Sequence, residues 1–423
     1  MCMLRQTGNK NGLLGKSVLM KIQLPEDVKF IIHKLNEYGY EAYAVGGCVR
    51  DSIIRRVPGD WDITTNARPE QVKSVFYRTI DTGIKHGTVT IMLHGVGYEV
   101  TTYRIDGEYE DSRHPKSVEF TASLEEDLKR RDFTINAMAY CDDTGIVDMF
   151  NGEEDIENGI IRCVGDATER FTEDALRMLR AVRFSAQLGY TIEKRTAEAI
   201  KTLAPSIANI SKERIHTELN KTLLSDNPDY LRRAMELGIT EVVFPVMNEI
   251  PDVEEAMALV KCMPKELIYR YAAVLYQCGA DRACKMLKEL KMDNYTIDNS
   301  VKLISLHGLE LTDDVVKVRK QAAETGREMY ERILLFDKEF YRIKGDMEKY
   351  DRISTQAEIF QGVTARKECL TLKELAVTGN DLIKAGVKPG REMGEILKTM
   401  LKDVLENPEN NTKDYLFNSH LHI

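Results

Sequence analysis

The sequence predicts an α+β chain, with a mixed sheet inside residues 21–158 and helices from there to the C-terminus. Three observations carry this. Residues 43–65 read as strand, Gly-Gly turn, helix and second strand. Thr88 to Leu93 and Tyr98 to Tyr103 alternate apolar and polar like two antiparallel strands joined at Gly95 to Gly97. Beyond Phe171 strand-like runs are scarce and helical periodicity recurs.

Length and composition set the frame. The 423 residues suffice for several domains, and 43% hydrophobic with 30% charged residues is ordinary for a globular protein. No run approaches the length of a membrane span. The first twenty residues have scattered basic groups but no sustained apolar core, so they read as a disordered extension, with Met20 a second start. The eight cysteines are dispersed, without a Cys-x-x-Cys pair, and read as reduced thiols of a cytoplasmic protein; a zinc site is not expected. A net charge of −9 does not point to nucleic acid, so any RNA site must be a local patch drawn from the 59 Lys and Arg residues.

In chain order, residues 25–38 place Val28, Ile31, Ile32 and Leu35 on one face of a helix. Ala42 to Val45 suits a buried strand. Gly46 and Gly47 permit a tight turn onto a helix over Cys48 to Arg56, whose N-terminal N–H groups favour an anion. Arg50 can add a charge-assisted bond to a phosphate. Asp60 and Asp62 alternate with Trp61 ahead of the β-prone Ile63-Thr64-Thr65, so both carboxylates face one way and can hold Mg²⁺. Taken singly, a Gly-Gly before a helix is also an ordinary turn, and an Asp-x-Asp also a solvated acidic edge. Pro69 to Phe76 is a short helix with Pro at its start. Glu99, on the second strand of the hairpin, is a possible third acidic group or a plain edge charge. From Ile105 to Ala122 the pattern breaks into a polar loop, either disordered or functional. In residues 124–140 the triplet Arg130-Arg131-Asp132 sits at a helix junction, with Asn136, Ala137 and Ala139 expected on the helix that follows. Residues 145–171 are turn-rich, and a first domain boundary is expected near Gly159. Residues 173–184 are expected to form one helix, with Asp174 and Arg177 on a shared face and Arg180 and Arg183 stepping round by about 60° each.

The combination Gly-Gly-x-Val-Arg-Asp followed by Asp-x-Asp resembles the first signature of polymerase-β-like nucleotidyltransferases, in the branch of tRNA nucleotidyltransferases and poly(A) polymerases. Arg130 to Ala137 matches a second signature, Glu173-Asp174-x-x-Arg177-x-x-Arg180 a third, and residues 211–224 a softer last one. The pattern is most like the bacterial CCA-adding enzymes. The resemblance implies a nucleotidyltransferase head at 21–158, a helical neck at 159–225, a body at 226–310 and a tail at 311–423. It implies attack of a tRNA 3′-hydroxyl on the α-phosphate of CTP or ATP with two Mg²⁺ ions on Asp60 and Asp62. Gly47, Arg50 and Arg131 would bind triphosphate or ribose, and Asp174 with Arg177 the base, oriented by Arg180 and Arg183. The chemistry of that base pair is simple. Cytosine and adenine set an exocyclic amine beside a ring acceptor, while Asp only accepts and Arg only donates. Uracil and guanine would leave buried groups unpaired. The loop 105–117, with Asp106 and Arg113, would switch the enzyme from C to A. Lys384, Lys388 and Arg391 would hold tRNA in the tail, although each also reads as an ordinary surface cation. No protein partner or membrane is implied. A-adding, CC-adding and poly(A) enzymes stay open as alternatives, as does an inactive RNA-binding protein of this fold.

Overall fold

The computed structural model describes residues 21–107 and 118–421. The proposed extension at 1–20 and Arg113 of the switching loop lie outside them, as does the side chain of Asp106. The chain divides into two compact units: one runs through Arg177 and adds Thr191–Ala199, the other holds Met178–Tyr190 and Ile200 onward.

The first unit is built on a seven-stranded mixed sheet. It opens with α1 (Glu26–Glu37), whose first turn carries Glu26 and Asp27 and whose last carries Lys34, each complementing the helix dipole. Val28, Ile31, Ile32 and Leu35 are buried, at the spacing that puts them on one stripe. Burial of each stabilises by about 1.5–3 kcal/mol. There follow β1 (Ala42–Val45), α2 (Gly47–Ile53), β2 (Ile63–Thr65), α3 (Pro69–Val75) and β3 (Thr79–Gly83). Next come β4 (Thr88–Leu93), β5 (Val96–Thr102), β6 (Arg104–Asp106), β7 (Val118–Phe120), α4 (Leu124–Lys129), β8 (Met138–Cys141) and β9 (Gly145–Asp148). The strand order is β3-β4-β5-β2-β1-β8-β9, with β2 and β5 parallel and the other pairs antiparallel.

Several expectations are corrected. Ala137 and Ala139 are not helical: Thr134–Asn136 is a single 3₁₀ turn, and Met138–Cys141 is a strand beside β1. All four residues of β8 are buried, and a short apolar run buried on both faces has no period that separates strand from helix. Residues 145–171 hold β9, α5 (Gly152–Asn158) and α6 (Ala167–Glu173), although Gly145, Gly159 and Gly165 do turn the chain at positive φ. The stretch from 105 to 122 includes strand arms, since Ile105 pairs with Glu119 and Asp106 with Val118. Gly97 belongs to β5, not to the turn, and β3 at the sheet edge has no clear sequence signal.

The sheet has two unlike faces. On one, α1 lies against β1 and α3 against β4. On the other, Leu124 and Leu128 of α4 pack on Val45, Ala139 and Val147, which covers the β1-β8-β9 half. In the second unit, helices pack around two apolar clusters, one centred on Tyr330, Ile353 and Phe360, the other on Val377, Leu382, Met400 and Leu416. Among the described residues no helix is long and apolar enough to cross a membrane, and the seven cysteines described are free thiols.

Candidate active site

Asp60 and Asp62 lie on the extended lead-in to β2, which begins at Ile63; both are exposed. The Asp62 carbonyl accepts from Val45 N–H at 3.0 Å, so pairing with β1 fixes the backbone one residue beyond the strand. In the parallel pair, Ile63 stands opposite Val100. Ile63 and Val100 are buried, so the residues preceding them, Asp62 and Glu99, share the opposite face on neighbouring strands. The electrostatics agree. Crowding by the surrounding chain pushes the Asp62 carboxyl up, the Asp60 and Glu99 carboxylates push it further, and only Arg131 opposes them. These three acids form one cluster of like charge. No group of three His, Cys, Asp or Glu side chains forms a ready-made metal cage among the described residues. The cluster nonetheless offers hard oxygen donors whose mutual repulsion a divalent cation would relieve, which fits magnesium. The nearby Cys48 thiol is pushed up to about 12 by burial and is not a nucleophile.

Beside the acids, a glycine turn meets a half-buried arginine. Gly46 has φ +83°, and a Cβ there would stand 2.9 Å from Nη1 of Arg131. Glycine is required on both counts. Arg131 is held from behind by Asp127, at 3.6 Å. Asp127 is fully buried and also accepts from Thr64 Oγ1 at 3.0 Å and from Arg130 at 2.8 and 3.0 Å. Burial alone would raise its pKa, but the charges of Arg130 and Arg131 outweigh that and hold it below the usual range. The Arg131 Nε is buried with no hydrogen-bond partner. An anion arriving at the Gly46 turn is the kind of group that completes such a guanidinium.

Arg50 is held by neighbouring side chains. Its Nη1 donates to Asn136 Oδ1 at 2.6 Å, and Nε and Nη2 donate to Asp51 at 2.9 and 2.7 Å. Asn136 in turn donates to Asp132 at 3.1 Å. This buried chain ties α2 to the Thr134–Asn136 turn, so two signatures distant in sequence form one network. Gly47 opens α2, with Arg50 Nη2 3.7 Å from where its Cβ would be.

The expected helix over 173–184 is broken. Asp174 ends α6 with φ −140° and ψ 102°, and α7 spans Leu176–Leu188. Its carboxylate accepts from Leu176 N–H at 3.0 Å, the bond of a helix N-cap. Asp174 therefore does not share a helical face with Arg177; a residue that caps an N-terminus leaves helical φ/ψ. Arg177 is buried, donating to the Arg170 carbonyl and Glu173 on α6 at 3.0 and 2.6 Å and to the Arg130 carbonyl at 3.0 Å. It fastens the third signature to the second. Arg180 and Arg183 belong to the second unit. Both guanidinium groups lie over the Phe184 ring, and Arg183 pairs with buried Glu218 of the helix Lys212–Leu223 at 2.9 Å. Lys384, Lys388 and Arg391 are exposed at the end of the helix Gly379–Lys384, in the loop after it and at the start of the helix Arg391–Glu406.

Sequence reasoning misses Asp127 and Glu218, and the parts that Glu173 and Asn136 play. Asp127 has a legible signal, since Arg130 and Arg131 follow at i+3 and i+4. Glu173 stands at i−4 to Arg177, a similar clue. Glu218 interrupts an apolar stripe, which by itself names no partner.

Known proteins resemble this chain over most of its length. Residues 42–162 match the poly A polymerase head domain, 189–250 the probable RNA and SrmB-binding site of polymerase A, and 265–419 tRNA nucleotidyltransferase domain 2. The chain is 39% identical to a CCA-adding enzyme of Leuconostoc mesenteroides, covering 90% of this chain and 92% of that one. It is 36% identical to one of Ligilactobacillus salivarius, covering 91% and 93%. Among solved structures, the Bacillus stearothermophilus CCA-adding enzyme in complex with CTP matches with a TM-score of 0.77 at 33% identity, covering 93% of this chain and 95% of that one.

Proposed function

From the premise that this chain belongs to the family of CCA-adding enzymes, we propose that it adds CMP and AMP, from CTP and ATP, to the 3′ end of tRNA with release of pyrophosphate. The observation that carries the reading at residue level is the Asp60, Asp62 and Glu99 cluster beside the Gly46–Arg131 turn. The acids suit the reacting oxygens and the turn suits the triphosphate, in the order an in-line displacement needs. Asp60 and Asp62 would hold magnesium, with Glu99 beside them. When bound, that ion acidifies the attacking hydroxyl and neutralises charge on the phosphates.

The chain's own part is positioning. The Gly46–Gly47 turn lets phosphate approach the backbone closely, and Arg131, oriented by Asp127, meets it. Arg50, tied through Asn136 to Asp132, holds the turn in place and would meet the triphosphate or ribose together with Gly47. Asp174 and Arg177 would read the base. That role requires Arg177 to exchange part of its hold on Glu173 and Arg130 for the ring acceptor of C or A. Arg183, paired with Glu218, would brace the reading helix, with Arg180 beside it. The division into head at 21–158, neck at 159–225, body at 226–310 and tail at 311–423 is proposed on the same footing, as are C-to-A switching by Asp106 and Arg113 and tRNA binding by Lys384, Lys388 and Arg391. The cytoplasm is where such substrates are met.

The test uses three tRNA transcripts ending before CCA, after C and after CC, incubated with CTP, ATP or both and sequenced. Full addition gives CCA on all three. Products ending at CC, or growing into long A tracts, would replace this reading with a partial or poly(A) enzyme.

A further inference from the structure

We propose that the exposed face of β3, β4 and β5 is the seat of the terminal nucleotide of the RNA being extended, with Thr82 and Thr90 contacting its ribose and Ile80 supporting its base. The inference rests on the transfer reaction above and adds a substrate subsite to it.

The topology sets the direction. The Gly46–Arg131 turn lies at the end of β1, on one side of Asp60 and Asp62, which precede β2. In an in-line displacement the leaving pyrophosphate and the attacking hydroxyl are on opposite sides of the phosphorus. The attacking strand must therefore come from the other side of β2, where β5, β4 and β3 lie in that order.

The register shows what it meets there. Glu99 of β5 stands opposite Thr90 of β4, and Thr90 opposite Ile80 of β3. Residues directly opposite in antiparallel strands share a face, so Glu99, Thr90 and Ile80 form a row leading away from the acids. The register of β3 shifts between Ile80 and Gly83, and the Thr82 hydroxyl, 2.8 Å from that of Thr90, brings Thr82 to that face. Whichever of the two donates, the pair keeps a hydroxyl hydrogen and spare lone pairs for a ligand, the complement of a ribose hydroxyl. Thr90 is buried and steadies the pair, while Thr82 is open. Ile80 is 50% exposed, a large apolar side chain on an edge strand with room for a base. The cover that α4 gives this face rests on the β1-β8-β9 half. Adjacent strands are about 4.8 Å apart, so the row from Glu99 to Ile80 spans about 10 Å, the scale of one nucleotide.

The test compares two tRNA substrates lacking CCA, one ending in a ribonucleotide and one in its 2′-deoxy counterpart, which keeps the attacking 3′-hydroxyl. The wild-type enzyme is expected to prefer the ribo end by about tenfold in kcat/KM, as loss of one to two hydrogen bonds would give. Thr82→Val, which keeps the shape and the strand preference, is expected to abolish that preference while KM for CTP stays unchanged; Thr82→Ser restores it. Ile80→Ser is expected to raise KM for the RNA and not for CTP. A Thr82→Val enzyme that keeps the wild-type preference overturns the inference and leaves CCA addition standing, as does a wild-type enzyme indifferent to the 2′-hydroxyl. A wild-type enzyme that incorporates nothing overturns the functional reading and this inference together.

Discussion

The sheet unit and the tail use charge in opposite ways. Around the acidic cluster, ionic groups are buried or half-buried and mutually fixed: Asp127 holds Arg130, Arg131 and Thr64, and Arg50 holds Asn136. In the tail, Lys384, Lys388 and Arg391 stand in solvent. The difference suits the tasks proposed for the two regions. A reacting phosphate must be met within tenths of an ångström by groups already in place, because reorganisation raises the barrier. A helical RNA backbone presents regularly spaced charge and tolerates adjustable partners, so long solvated side chains suffice.

The sharpest way to break this comparison is at the acids. Asp60→Ala or Asp62→Ala is expected to lower kcat for both C and A addition by on the order of a thousandfold or more, as loss of a principal electrostatic contact does, with tRNA affinity retained in a filter-binding assay. Crowding and the neighbouring acids raise the Asp62 carboxyl. Without metal it therefore takes up its proton at a higher pH than an isolated aspartate, and magnesium affinity should begin to fall earlier on acidification, which a metal titration across pH would show. Substantial turnover without either aspartate would remove the distinction between the two regions.

A smaller effect, in stability rather than rate, is expected from Asp127→Ala. It leaves two guanidinium groups facing a buried gap, a change of about 3–5 kcal/mol. Urea unfolding of the variant should show the loss. A shift under about 1 kcal/mol, the range of surface pairs, would mean that the network is no more fixed than the tail. The smallest effect belongs to the tail. Lys388→Glu with Arg391→Glu should raise KM for full-length tRNA several-fold, flatten its salt dependence by about one unit of slope per lost phosphate contact, and leave kcat unchanged. Equal loss on a minihelix lacking the tRNA elbow would show that these residues act elsewhere.

Much of the sheet unit is legible in the sequence. Alternation gives β4 and β5, and the spacing of Val28, Ile31, Ile32 and Leu35 gives α1, because single faces of regular elements leave a period. What escapes has no period or depends on partners far along the chain. β8 is buried on both faces, and β3 is short, polar and at an edge. Asp174 obeys a local rule that competes with helical periodicity: aspartate favours the cap over the helix interior, and here the cap wins over the continuous helix. Arg50 stands out by charge and position, but its partner Asn136 lies in another signature, and no spacing rule reaches that far.

The strand order has a consequence for how the protein is made. β1 is flanked by β2, which follows it closely, and by β8, because Ala44 pairs with Tyr140. During synthesis five strands of this sheet, β1 to β5, can emerge while its middle still lacks a neighbour. Long-range pairings of this kind form late and slowly. Until β8 arrives, the edge of β1 is an open row of backbone donors and acceptors, and Arg131, which precedes β8 by a few residues, has only just joined the fold. The acidic cluster should thus be present in the nascent chain before the turn beside it is in order, and a chain stalled before Cys141 should expose a sticky strand that recruits chaperones.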